Sequence, residues 1–199
     1  MNKELVIEPK KPYLFEDEEY KTIDLSGLEE LTMQDAIEAQ KNVVGSGEDT
    51  VVIYAPEASQ AFIDEIAALA AKQPVEFFNG MGIGLSGKVR TAVQSVFSAD
   101  SNDAKNHVVE FDKPYTYGGE TVSVIDLSGV EELTSKDVSA AENEVLKTGV
   151  YSANMKNFFV YTCALAARAT GKPIEFFTKM PLKDAAKVRS TVNTASFFE

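Results

Sequence analysis

Apolar and polar positions along the chain run through the same order twice. Each half opens on an alternating, β-forming stretch. In the second half Tyr115-Thr116-Tyr117 and Thr121-Val122-Ser123-Val124-Ile125 flank Gly118-Gly119. Glycine tolerates the positive φ of a tight turn, so this pattern predicts a β-hairpin. In the first half the charged run Glu16-Asp17-Glu18-Glu19 takes the turn. Ser26-Gly27 then breaks the strand, and Thr32-x-x-Asp35, repeated as Thr134-x-x-Asp137, predicts a helix start. The hydroxyl can cap an orphan amide, and the acid suits the positive end of the helix. Behind it Ala36, Ala39, Val43 and Val44, or Val138, Ala141, Val145 and Leu146, share one helical face. A second helix carries Phe62, Ile66, Leu69 and Ala70, or Met155, Phe158, Phe159, Thr162, Leu165, Ala166 and Ala169, with Gly171 and Pro173 as its stop. A short turn bearing two phenylalanines follows. The last helix carries Leu85, Val89, Ala92, Val93 and Val96, or Ala185, Val188, Val192 and Ala195. The fold class is therefore α+β and mostly helical, each half a β-hairpin followed by about three helices. A two-stranded hairpin is not stable alone, so it must pack on the helices or pair with the other half.

The recurrence extends to residue identity. Lys11-Pro12-Tyr13 returns as Lys113-Pro114-Tyr115, and Ile23 to Thr32 returns as Ile125 to Thr134 with only Leu28 changed, to Val130. Pro74-Val75-Glu76-Phe77-Phe78 returns as Pro173-Ile174-Glu175-Phe176-Phe177, and Lys88-Val89-Arg90 as Lys187-Val188-Arg189. Pairing Phe62 and Leu69 with Phe158 and Leu165 assigns six extra residues to the first half, around Gly45 to Asp49. The period is too long for a solenoid, so the reading is two tandem homologous units. The expected boundaries are 1–98 for the first unit, a polar linker over 99–108, and 109–199 for the second.

Charge separates the halves. The net charge of the 199-residue chain is −12; residues 1–105 hold 9 basic and 19 acidic side chains, residues 106–199 hold 10 and 12. Halves alike in pattern and unlike in charge are expected to share a scaffold but present different surfaces. An acidic chain repels phosphate backbones, which argues against nucleic-acid binding. No stretch is long and apolar enough to predict a membrane span, and one cysteine excludes an intramolecular disulfide framework.

Candidate chemistry is thin. Gly82-Ile83-Gly84-Leu85-Ser86-Gly87-Lys88 approaches a phosphate-cradling loop, but Val89 stands where that loop needs a hydroxyl, and Met180 to Lys187 lacks the glycines. His107 has no second histidine with which to bind a metal, and Cys163 lies in an apolar stripe. Asp100-x-Asn102 lacks the glycine and terminal acid of a calcium loop. Asp24, Glu29 and Glu30, like Asp126, Glu131 and Glu132, sit at a strand-to-helix junction where capping and solvation account for them. No catalytic residue, cofactor or metal is expected. For partner binding the candidates are the aromatic pairs Phe77-Phe78, Phe176-Phe177 and Phe197-Phe198. The leading reading buries both rings of a pair, at least partly, between helices; the alternative, since adjacent rings on a short turn cannot all face one core, puts one of each pair at the surface as a hydrophobic patch for a partner.

Leu31-Thr32-Met33-Gln34-Asp35 and Leu133-Thr134-Ser135-Lys136-Asp137 start a helix behind a hairpin. Leu165-Ala166-Ala167-Arg168-Ala169-Thr170-Gly171-Lys172-Pro173 and a final Leu182 to Val188 helix with a Phe-ending tail complete the pattern. In these features the chain resembles the tail assembly chaperones of tailed bacteriophages and prophages. That resemblance covers most of each half. It implies a protein of the bacterial host cytoplasm, absent from the mature virion, that binds the tape measure protein and assists tail tube assembly with the major tail protein. It implies no catalytic residues and allows a longer frameshifted product; the two units either take the place of a homodimer or assemble further into a homo-oligomer, and no membrane partner is expected. The usual member has one unit where this chain has two. A different class, an acidic decoy or regulator of a basic partner, is the alternative that the charge of the first half suggests.

Overall fold

The computed structural model describes residues 5–47, 49–98 and 107–197. The first half runs β1 (Val6–Ile7), β2 (Tyr13–Phe15), β3 (Glu18–Tyr20), β4 (Ile23–Asp24), α1 (Met33–Ser46), α2 (Gln60–Ala71), α3 (Val75–Asn79) and α4 (Ile83–Phe97). The second runs β5 (Val108–Tyr117), β6 (Glu120–Asp126), α5 (Ser135–Lys147), α6 (Phe159–Thr170), α7 (Ile174–Thr178) and α8 (Leu182–Phe197). Short 3-10 turns join them. The class is α+β and mostly helical, with small antiparallel hairpins.

β5 and β6 pair from Val108↔Asp126 to Tyr117↔Glu120, with one irregularity between Glu110 and Tyr115. Pro114 lies in that irregularity, where a missing N–H costs no ladder bond. The first half follows a similar path with two prolines, Pro9 and Pro12, and its ladder splits into β1–β4 and β2–β3. Glu16 and Asp17 form its turn at φ 47° and 65°, where the second half has Gly118 and Gly119 at 59° and 87°.

Both long first helices begin as their spacing predicts. The Asp35 carboxylate accepts from the Thr32 N–H and hydroxyl, each at 2.7 Å; Asp137 accepts from Thr134 at 3.0 and 2.6 Å. Ahead of each helix a 3-10 turn presses on the C-terminal end of the next one. A Cβ on Gly27 would lie 2.2 Å from the Ala70 carbonyl oxygen, and one on Gly129 would lie 2.4 Å from that of Ala169. These contacts also correct the expected pairing of the second helices. α2 ends in a left-handed Lys72 and α6 in a left-handed Gly171, so both helix end and glycine contact set the spacing at 99 residues. Phe62 therefore corresponds to Tyr161 rather than Phe158. The first half then carries three extra residues before α2, since α1 and α5 are 102 apart. Aromatic identity misled the pairing because Phe158 precedes the helix.

One hydrophobic core runs through both halves. Phe159, at the first turn of α6, is fully buried against two rings of the first half: Phe62 at 5.5 Å and Phe97 at 5.8 Å between centroids. Buried Gln40 on α1 reaches the same point. Its oxygen accepts from the Phe159 N–H (3.1 Å), and its amide donates to the carbonyls of Asn157 (3.2 Å) and Val52 (3.4 Å). Asn157 in turn donates to Ile53 O at 3.1 Å. Arg189 lies over the Phe159 ring at 4.6 Å and pairs with Glu57 of the first half. An isolated bridge joins Thr32 and Pro181, flanked by Met33 N–H to Met180 O (3.0 Å) and Leu182 N–H to Leu31 O (2.8 Å). The span expected as linker overlaps β5 at Val108; residues 99–106 lie outside the described residues, as does the Asp100-x-Asn102 candidate.

Two consequences are measurable by urea unfolding. Gly27→Ala and Gly129→Ala each drive a methyl into a backbone carbonyl and should cost about 1–3 kcal/mol, whereas Gly45→Ala, with open space around it, should cost far less. Gln40→Leu leaves the buried Phe159 N–H without its acceptor and should cost roughly 1–3 kcal/mol.

Candidate functional site

The aromatic pairs lie on α3 and α7, single helical turns started by Pro74 and Pro173. Phe77, Phe78, Phe176 and Phe177 are all at most 2% exposed. Of the two readings, burial between helices is the one observed, and the alternative of an exposed partner patch on these four rings is corrected: all four belong to the core. The reason is the hairpin. Tyr13, Phe15 and Tyr20 set their rings edge-on around Phe77 at 5.1, 5.3 and 4.8 Å. Tyr115 and Tyr117 do the same to Phe176 at 5.1 and 5.9 Å. Tyr13 Oη donates to Phe77 O (2.7 Å) and Tyr115 Oη to Phe176 O (3.0 Å), so the hairpin is fastened to the turn below it. Burial pushes the Tyr115 phenol up to about 12. Edge-to-face aromatic contacts of this kind add about 0.5–1.5 kcal/mol each beyond area burial. Adjacent rings can both be buried because α3 is sandwiched, with the hairpin on one side and α2 on the other. Phe197 ends α8, and its side chain, like the whole of Phe198, lies outside the described residues.

The apolar groups that do face solvent are scattered elsewhere. Ile83 is 94% exposed, Tyr151 83%, Tyr54 65% and Leu14 61%.

Groups with chemical potential are held in structural roles. Gly82 is the N-cap of α4 and the segment before it is helix α3, so the glycine-rich run is a helix start and lacks the strand a phosphate loop requires. Cys163 is buried, and burial pushes its thiol up to about 12. His107 Nδ1 lies 3.6 Å from Glu131. Asp24 and Asp126 each accept the backbone N–H two residues on, at 2.8 Å; hydrogen bonding from the Ser26 side chain and then its N–H holds Asp24 below the usual carboxylate range, and from the Ser128 N–H and then its side chain holds Asp126 there. Among the described residues no group of three His, Cys, Asp or Glu side chains is placed to hold a metal ion, and no helix is long and apolar enough to cross a membrane. Burial draws the Arg189 guanidinium down to about 10, still cationic at neutral pH beside Glu57.

The most developed charged cluster is in the second half. Asp112 accepts from Lys183 Nζ at 2.6 Å and Lys187 Nζ at 2.5 Å. These two bonds hold its carboxyl below the ordinary value. Burial opposes the charge on Lys187, but Asp112 and Asp184 outweigh it and raise the amine. The sign follows from linkage. A depressed Asp contributes fully above its unfolded value of about 3.9 and loses that contribution as pH falls through the folded value. Wild-type urea midpoints should therefore fall between pH 5 and pH 2.5 (roughly the window of linked carboxylates), and Asp112→Asn should lower the neutral-pH midpoint while flattening that acid limb. An acid limb identical to that of the wild type would remove Asp112 from the account.

Comparison with known proteins bears on the same half. Residues 108–196, from the start of β5 nearly to the end of α8, match the family model described as "Phage tail assembly chaperone proteins, E, or 41 or 14". No curated protein and no solved structure matches the chain.

Proposed function

We propose that this chain is a tail assembly chaperone that binds the tape measure protein and assists assembly of the tail tube around it, because residues 108–196 match the phage tail assembly chaperone family model. The family match is the observation that carries this reading. The chain offers isolated exposed apolar side chains (Ile83, Tyr151, Tyr54 and Leu14) on a surface of strong negative charge. Such a charge keeps a complex with an apolar client dispersed. The Phe pairs stabilise the scaffold, so client contact falls to other residues. In this proposal the role is non-enzymatic, exercised in the bacterial host cytoplasm, apart from the mature virion, with the major tail protein as a second partner and a homo-oligomer as the working form.

Co-expression with the tape measure reading frame of the same genome tests it. The client should shift from the insoluble to the soluble fraction and co-purify with this chain. A client equally insoluble with and without it, and absent from the purified material, refutes the proposal.

A further inference from the structure

Corresponding places in the two halves hold opposite chemistry at one point, beside the hairpin. In the second half Phe111 is buried, its ring 6.4 Å from and edge-on to Tyr115. The next residue, Asp112, bridges Lys183 and Lys187 of α8, and its N–H donates to Asp184 Oδ1 at 3.0 Å. The backbone frame is the same in the first half. Lys88 Nζ donates to Glu8 O at 3.1 Å, as Lys187 Nζ donates to Glu110 O at 3.0 Å. Within that frame the filling groups are absent. Pro9 and Lys10 stand for Phe111 and Asp112; Gly84 and Leu85 stand for Lys183 and Asp184. What remains is an open cleft of about 470 Å³ between residues 9–14 and 84–88, with Pro9, Leu14 and Leu85 as apolar lining and Lys10, Lys11 and Lys88 around it. None of these lysines forms an ion pair among the described residues, in a half whose net charge is strongly negative.

We propose that this cleft receives, from a partner protein, an apolar side chain adjacent to a carboxylate. That is the pair which Phe111 and Asp112 supply within the chain in the second half. The apolar group would take the space a ring fills there, and the carboxylate would accept from Lys88 and Lys10, as Asp112 accepts from Lys187 and Lys183. Charge-assisted bonds of this type are roughly twice as strong as neutral ones. The acidic surroundings repel an extended anionic surface, so a single carboxylate on an otherwise apolar segment fits better than a run of acids. The inference rests on the two halves of this chain and does not depend on which client the protein serves.

The test is a titration of the full ¹⁵N-labelled chain with acetyl-Leu-Phe-Asp-Leu-amide, followed by amide chemical shifts. Shifts should centre on residues 9–14 and 84–88. Peptides with Lys for Asp, or Ser for Phe, should bind at least about tenfold more weakly. Pro9→Phe with Lys10→Asp rebuilds the in-chain pair, so this double variant should melt at a higher temperature and lose the response. Lys88→Gln, a change on an exposed side chain, should weaken binding without changing the fold and stands in if the double variant fails to fold. Equal response to the Lys peptide, shifts centred elsewhere, or unchanged binding by both variants would overturn the proposal. None of these outcomes is altered by success or failure of co-purification with the tape measure protein.

Discussion

The structure depends on burying Phe159. This ring starts α6 in the second half, yet two of its nearest aromatic neighbours, Phe62 and Phe97, belong to the first. A fully buried phenylalanine is worth about 3–5 kcal/mol against alanine, a large share of what holds a domain folded. Burial of its backbone N–H creates a second demand, met by Gln40 from α1. The same amide then satisfies two carbonyls, Val52 and Asn157, on the loops entering α2 and α6. One seam thus fixes a helix start, two loops and the relative placement of the halves.

The seam is one-sided. It uses Met33 and Gln40 on α1, which share a buried face with Ile37. At the corresponding places of α5 stand Ser135, Ser139 and Glu142, none of them buried. On the other partner Phe159 and Leu182 are buried, while the first half has half-buried Gln60 and exposed Ile83. If both halves kept the apolar version, each chain would offer a free donor face and a free acceptor face, the recipe for open head-to-tail association. Polar side chains on the unused faces remove most of that drive. The same difference accounts for how halves alike in pattern present different surfaces: a filled, ion-paired groove at Phe111-Asp112 and an open, lysine-lined one at Pro9-Lys10.

Much of this was legible in the residues. Thr-x-x-Asp marked both helix starts, Gly118-Gly119 marked the turn, and the apolar spacing located the long helices, because each is a local rule with a local cause. Three things were not legible. The hairpin that covers Phe77, Phe78, Phe176 and Phe177 folds over a helical turn about sixty residues later in the chain, through contacts that no local window contains. The 99-residue spacing of the second helices was hidden by a chance aromatic match and shown by Gly27 and Gly129 against their carbonyls. The seam left one trace in the sequence, an uncharged glutamine among the alanines and valines of α1, and only the fold reveals what that amide serves.

The central claim is that the two halves share a core and fold as one unit. Calorimetric unfolding of the full chain measures this directly. The account predicts a single transition whose calorimetric and van't Hoff enthalpies agree, and a Phe159→Ala variant in which that one transition moves as a whole. Two separable transitions in the wild type, with Phe159→Ala shifting only the one belonging to the second half, would contradict it.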